Sequence, residues 1–203
     1  MRIGLAALIA VCVIGMTAHA AAATLPMPSV EYSADRVIET SSGTFNGKVF
    51  SAKDKERSET SMGGMQSVMI LRRDKQVGWM LMPMQKMYMT MDFAKAQQQS
   101  GAAPNDQIDI TEVGSETVEG QSAKKYKMLM KDGSGGGFIW VTDEGIAVKM
   151  DFLSKSGGEK TRMTVTLKNL SIGAQDAAQF ELPSGYTAMP NMGGNFGGVR
   201  SGR

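Results

Sequence analysis

Short apolar runs broken by polar turn clusters recur along the chain, and in its later part apolar and polar residues alternate with a period of two, a pattern that predicts strands rather than helices. Runs rich in β-branched, aromatic and Met residues fall at 30–40, 44–52, 55–62, 65–73, 77–83, 86–92, 108–114, 116–131, 137–143, 146–154 and 160–170, separated by Gly, Asn, Asp and Ser clusters. Short strands at such close spacing make an antiparallel sheet. Helix is expected only at Asp92 to Gln99, which is rich in Ala, Lys and Gln ahead of Gly101 and Pro104, and in a short turn at Ala174 to Ala178. Phe45-Asn46-Gly47, Asp74-Lys75, Asp132-Gly133 and Glu144-Gly145 carry turn chemistry and read as hairpins or bulges. The glycine run 133–137 lacks the spacing of a phosphate loop and reads as a flexible turn.

The later strands are one-sided. Tyr126, Met128 and Met130 alternate with lysines, Val148, Met150 and Phe152 with Lys149 and Asp151, and Met163, Val165 and Leu167 with Arg162, Thr164, Thr166 and Lys168. One face of this sheet is dry and the other wet, which makes the lysines a solvated face rather than a lipid or nucleic-acid patch.

The middle of the chain departs from that pattern. Val77 to Pro83 is apolar at nearly every position, and Lys86 to Met91 follows after a tight connection at Met84-Gln85. A hairpin closed there sets Met82 opposite Met87 and Met80 opposite Met89 on one face, with Leu81 opposite Tyr88 on the other. A turn at Asp74-Lys75 likewise sets Met69 opposite Met80 and Ile70 opposite Trp79, so that Met69, Met80 and Met89 form one row across three strands. The second register is the more fragile, because a loop longer or shorter by one residue turns the partner to the opposite face. Methionine is unbranched and polarizable, and a surface of it adapts to ligands of irregular shape. The candidate ligand-binding residues are therefore Met69, Met80, Met82, Met87, Met89 and Met91, with the aromatics Trp79, Tyr88 and Trp140. The competing structural reading is that these methionines fill an irregular core.

Composition narrows the chemistry. Residues 1–20, with Arg2, an apolar run from Ile3 to Met16 and small residues at Ala18 and Ala20, read as a cleaved signal peptide, with cleavage as late as residue 23. The apolar run is too short for a transmembrane anchor. Cleavage removes the one histidine, His19, and the one cysteine, Cys12, of this 203-residue chain. The mature protein then has no Ser-His-Asp, Cys-His or zinc-ligand arrangement, and it is expected to be periplasmic, without a disulfide, and not an enzyme. Ser122-Ala-Lys-Lys125 matches a Ser-x-x-Lys pattern, but without companion motifs it reads as a serine beside lysines. Acidic and basic residues number 20 and 22 and are interspersed, which leaves no electrostatic footprint for nucleic acid. Residues 24–188 are expected to form a single domain, and the Gly-rich segment 189–203 a disordered tail.

Three stretches carry a family resemblance: Tyr32-Ser-Ala-Asp-Arg-Val, then Arg72-Arg-Asp-Lys running into Val77-Gly-Trp-Met-Leu-Met-Pro with Lys86-Met-Tyr, and finally Phe180-Glu-Leu-Pro-Ser-Gly-Tyr186. In these the chain resembles the LolA/LolB-like superfamily of periplasmic lipoprotein carriers, in a branch of short exported proteins. The resemblance implies an α+β, predominantly β fold: a strongly curved antiparallel sheet forming an open half-barrel, with little helical cover and an apolar concave face that holds acyl chains or other hydrophobic cargo. No cofactor is expected. Two other functions fit the methionines: Cu(I) binding, because thioethers select that ion, and an accessory envelope protein whose apolar hairpin packs on a protein partner.

Overall fold

The computed structural model describes residues 24–94, 107–156 and 158–189. The expected signal peptide, the expected helix beyond Ala94 and the expected tail beyond Met189 lie outside the described residues.

Among the described residues twelve strands form one curved, unclosed sheet. The first meander runs β1 (Tyr32–Thr40), β2 (Gly43–Ala52), β3 (Lys55–Met62), β4 (Met65–Arg72), β5 (Val77–Met82) and β6 (Met87–Asp92). The second runs β7 (Ile108–Val118), β8 (Gln121–Met130), β9 (Gly135–Val141), β10 (Ala147–Ser156) and β11 (Glu159–Ile172). β1 pairs with β11 and joins the two meanders, so β6 and β7, consecutive in the chain, lie near opposite ends of the sheet. A last short strand, β12 (Thr187–Ala188), adds to β6 as the only parallel pair among the described strands.

The hairpin registers are those that the expected turn centres imply. Met80 pairs with Met89, Met82 with Met87 and Leu81 with Tyr88, while Met69 pairs with Met80 and Ile70 with Trp79. Each connection is four residues long rather than two. A 3-10 turn at Arg73–Lys75 or Pro83–Gln85 is followed by Gln76 or Lys86 in the left-handed region. Because each loop gains one residue on either side of the expected centre, the facing pairs are unchanged.

Three local expectations are corrected. Phe45-Asn46-Gly47 is extended within β2, and the turn before it is Ser41-Ser42. Gly47 serves a close approach instead: a Cβ there would meet the main-chain carbonyl of Glu59. The break expected near residue 115 is only a bulge between Glu112 and Gly114; the true hairpin lies at Glu119-Gly120, where both residues take positive φ, at 47° and 79°. Such a pair makes a type I′ turn, whose usual first residue is Asn, Asp or Gly, and Glu119 hides it. Finally, Gly135 to Gly137 is not a flexible turn but the start of β9, hydrogen-bonded to strands on both sides.

Packing divides the sheet by face. On one face of the second meander Ile110, Tyr126, Met128, Ile139 and Val141 form a buried cluster, joined by Leu25 from the segment ahead of β1. On the other face of the first meander Val68, Ile70 and Leu81 pack with Trp79, Tyr88, Leu182 and Tyr186. The cover of this second face is the C-terminal segment, which passes through a 3-10 turn at Ala177–Phe180 capped by Asp176.

Candidate functional site

Directly opposed residues of an antiparallel ladder share a face, so the pairings fix which side chains look inward. The registers carry Arg36 to Gly47, Thr60 and Ser67, and Ile38 to Val165 and Met150, on the same face as Met69 and Met80. These side chains come from the two separate meanders, yet they line one hollow of about 390 Å³, together with Ser58 and Met163. A single hollow between β4–β5 and β10–β11 requires the sheet to bend around it, so this is the concave face. Its wall carries four thioethers, Met69, Met80, Met150 and Met163, beside Ile38 and Val165. The volume lies within the range of about 300–1,000 Å³ usual for small-molecule sites.

The nine candidate residues divide into three groups. All six methionines of the hairpin set share the concave face by register, but only Met69 and Met80 line the hollow. Met91 is buried against Leu71, Met82 and Met87 are half-buried, and Met89 is exposed. Trp79 and Tyr88 point the other way and, like Leu182 and Tyr186 of the C-terminal segment, pack against Val68, Ile70 and Leu81. Trp140 also faces away from the hollow, since its neighbour Ile139 is the inward residue. It is 5% exposed: it belongs to a buried cluster with Ala123, Ile146 and Val148, the ammonium groups of Lys125 and Lys149 each lie 4.9 Å from its ring, and its Nε1 donates to Glu116 at 2.8 Å. Lys125 on β8 and Lys149 on β10, the strands flanking Trp140, thus lie over its indole.

Two inward contributors come from strands whose dry face is legible in the sequence, Met150 and Met163. Sequence reasoning also does not single out Ile38, Ser58, Thr60, Ser67 and Val165 as site residues, nor the one charged residue of the wall, Arg36, which follows Ala34 and precedes Ile38 in inward alternation. Its guanidinium donates to the hydroxyl of Ser58 and, at 3.5 Å, to that of Thr60. Gly47 lies directly opposite Arg36 between them and has no side chain to block the reach. The Arg36 Nε is buried without a hydrogen-bond partner. Burial pushes the guanidinium below its ordinary pKa, offset in part by Glu56 and Tyr32. Burial, then Glu56, pushes the neighbouring Tyr32 hydroxyl up to about 12.

A second, larger cleft of about 740 Å³ includes Asp35, Lys48, Arg57, Glu59, Gln66 and Asn169. Many of its polar groups are already paired: Lys48 with Asp35 at 3.0 Å, Asn169 with Asp35 at 2.7 Å and Arg57 with Glu59 at 2.7 Å. Despite its smaller volume, the concave hollow is the better ligand site, because its wall combines apolar side chains with a few unspent polar ones. Among the described residues no group of three or more His, Cys, Asp or Glu could hold a metal ion. No helix among them is long and apolar enough to cross a membrane.

Fold and site together define an open, curved β-sheet protein with a hollow on its concave face. The chain belongs to the family described as "Domain of unknown function (DUF4412)", whose profile matches residues 37–150. No match is found among the curated proteins. Among solved structures, an uncharacterized conserved protein from Thermus thermophilus is 11% identical, with a TM-score of 0.55 over 79% of this chain and 90% of that one. The Pseudomonas aeruginosa MucA/MucB complex is 14% identical, with a TM-score of 0.50 over 76% of this chain, and the match spans little more than half, 56%, of that chain. An outer membrane lipoprotein-sorting protein domain from Vibrio parahaemolyticus is 8% identical, at a TM-score of 0.34 over 74% of this chain and 89% of that one. At these identities the likenesses show the fold alone, and the last carries no argument.

Proposed function

We propose that the protein is an exported, LolA-like carrier that holds the apolar part of a lipid or acyl chain on its concave face without chemical change. The observation that carries this reading is the hollow of about 390 Å³ walled by Met69, Met80, Met150 and Met163. A solid interior would have left no room for a guest, whereas pliable thioether walls around a void suit a ligand of variable shape. The signal-like first twenty residues and the absence of His and Cys after them support export and a role without catalysis.

Native mass spectrometry of protein purified from an envelope fraction tests the reading. Co-purifying lipid, lost on mild organic extraction, is the expected result, and a protein that stays unliganded after incubation with envelope lipids contradicts it.

A second reading is a protein partner. MucB is seen in complex with MucA, and in this chain the hairpin ends carry exposed methionines, Met65 at 63% and Met84 at 72%. Cross-linking in cells distinguishes it from the first. A third reading is Cu(I) binding by the hairpin thioethers Met80, Met82, Met87 and Met89; a competition titration against a chromogenic chelator separates that outcome from lipid binding.

A further inference from the structure

Within a wall of thioethers and aliphatic side chains, the concave hollow contains one strong cation. Arg36 is mostly withdrawn from water, and none of the carboxylates of the described residues lies within ion-pairing distance of it. The carboxylate whose field reaches it, Glu56, is instead 3.9 Å from Arg73. The Arg36 side chain is held from below by two neutral hydroxyls, of Ser58 and Thr60, and its Nε–H has no acceptor. A guanidinium carries five N–H donors in a fixed fork, and this one spends few of them.

A buried charge of this kind is costly unless a counter-charge meets it. Elsewhere this protein meets that cost with carboxylates, as Arg72 does with Asp74 and Glu181, and the largely buried Arg57 with Glu59. At Arg36 the hydroxyls hold the Nη2 end of the fork, the Nε is covered without an acceptor, and the side chain lines the hollow. Space of that size beside methionines is suited to a molecule that is apolar along most of its length and anionic at one end.

Building on the carrier reading above, we infer that Arg36 is an anion anchor, so the ligand is a single-chain anionic amphiphile whose headgroup, a carboxylate or a phosphate monoester, docks on the guanidinium while its tail lies against Met69, Met80, Met150 and Met163. The bidentate match between a guanidinium and either headgroup supplies the selectivity. The volume of the hollow, near the lower end of the usual range, suits one slim tail.

The test uses the mature chain, delipidated, and a neutral fluorescent probe, N-phenyl-1-naphthylamine, displaced by dodecanoate, dodecyl phosphate or dodecanol at neutral pH. In the native protein the anionic amphiphiles should displace the probe at about tenfold lower concentration than the alcohol. In Arg36→Leu the gap should fall to about twofold or less while the probe still binds, and Arg36→Lys should keep part of it. Arg36→Gln, which keeps polar contact with Ser58 and Thr60, replaces the Leu variant if circular dichroism shows that variant unfolded, with the same expectation. Preference for carboxylate or for phosphate over the alcohol each supports the anchor and names the headgroup. Equal displacement by all three in the native protein, or a gap that survives in the neutral variants, overturns the anchor and leaves the carrier reading standing. Failure of the native protein to bind the probe or any of the three overturns both.

Discussion

Arg72 donates to the main-chain carbonyl of Phe180 at 3.2 Å and thereby ties the C-terminal segment to the end of β4. The same guanidinium is only 4% exposed and grips Asp74 at 2.6 Å, as well as Glu181. Beside it Phe180 is almost fully buried, and Leu182 and Tyr186 lie on Val68, Ile70 and Leu81. The outer face of the methionine hairpins is therefore closed by the chain's own end, which leaves the concave face as the apolar surface available to a guest.

Replacing Arg72 by Leu removes several charge-assisted hydrogen bonds at once. Because Asp74 and Glu181 are partly exposed and can regain water, the expected cost is about 2 kcal/mol rather than the larger value of a fully buried pair. Urea unfolding measures it, and limited proteolysis should show faster cleavage within 173–189.

Acid should loosen the same attachment. The hydrogen bond from Arg72 holds the Asp74 carboxyl down to about 2 and, as its main cause, holds Glu181 below the ordinary carboxylate range. A carboxyl whose folded pKa is depressed stabilises the fold above its unfolded pKa and loses that contribution as pH falls through the folded value. The attachment is therefore complete above about pH 4.5 and weakens as pH falls from there towards about 2. Hydrogen exchange of amides in 177–189 should rise in that window ahead of those in β8 and β9, and a uniform rise across the sheet would count against the assignment.

Gly47→Ala places a methyl group against the Glu59 carbonyl and the Thr60 Cα, both main-chain atoms that cannot swing aside. Overpacking of this kind costs about 1–3 kcal/mol. Gly173→Ala, where the added atom meets nothing within 4 Å, is the control and should be close to neutral in the same thermal melt.

Much of this architecture is legible in the sequence because the connections mark the hairpins: turns centred on Asp74-Lys75 and Met84-Gln85 set the pairing of Met69, Met80 and Met89, and loops lengthened symmetrically leave it intact. Glu119 conceals the β7–β8 turn, since only its backbone angle, and not its side chain, marks a type I′ corner. The cavity is less legible than the sheet. That Met80 meets Met163 across a hollow depends on how far the sheet bends, a property of many small twists that no local pattern states. Trp79, Tyr88 and Trp140 attract attention as aromatics, yet their parity turns them away; Arg36 looks like a surface charge, yet its parity turns it inward.

Met80 separates a hollow from a packed core. In a solid interior Met80→Ala would cost about 2–5 kcal/mol; against a void and half-buried, it should cost about 1 kcal/mol or less. Met80→Lys should leave the fold intact by circular dichroism and reduce lipid loading in native mass spectra at least about tenfold, because a solvated ammonium would sit where the tail lies.

The most direct test of the concave site is photo-cross-linking with a long-chain fatty acid carrying a diazirine in its tail, followed by peptide mapping of the adducts. The account predicts labels on Met69, Met80, Met150, Met163 or Ile38, competed away by unlabelled lipid. Labels confined to Leu182, Tyr186 and their surroundings on the outer face, or none above background, would contradict it.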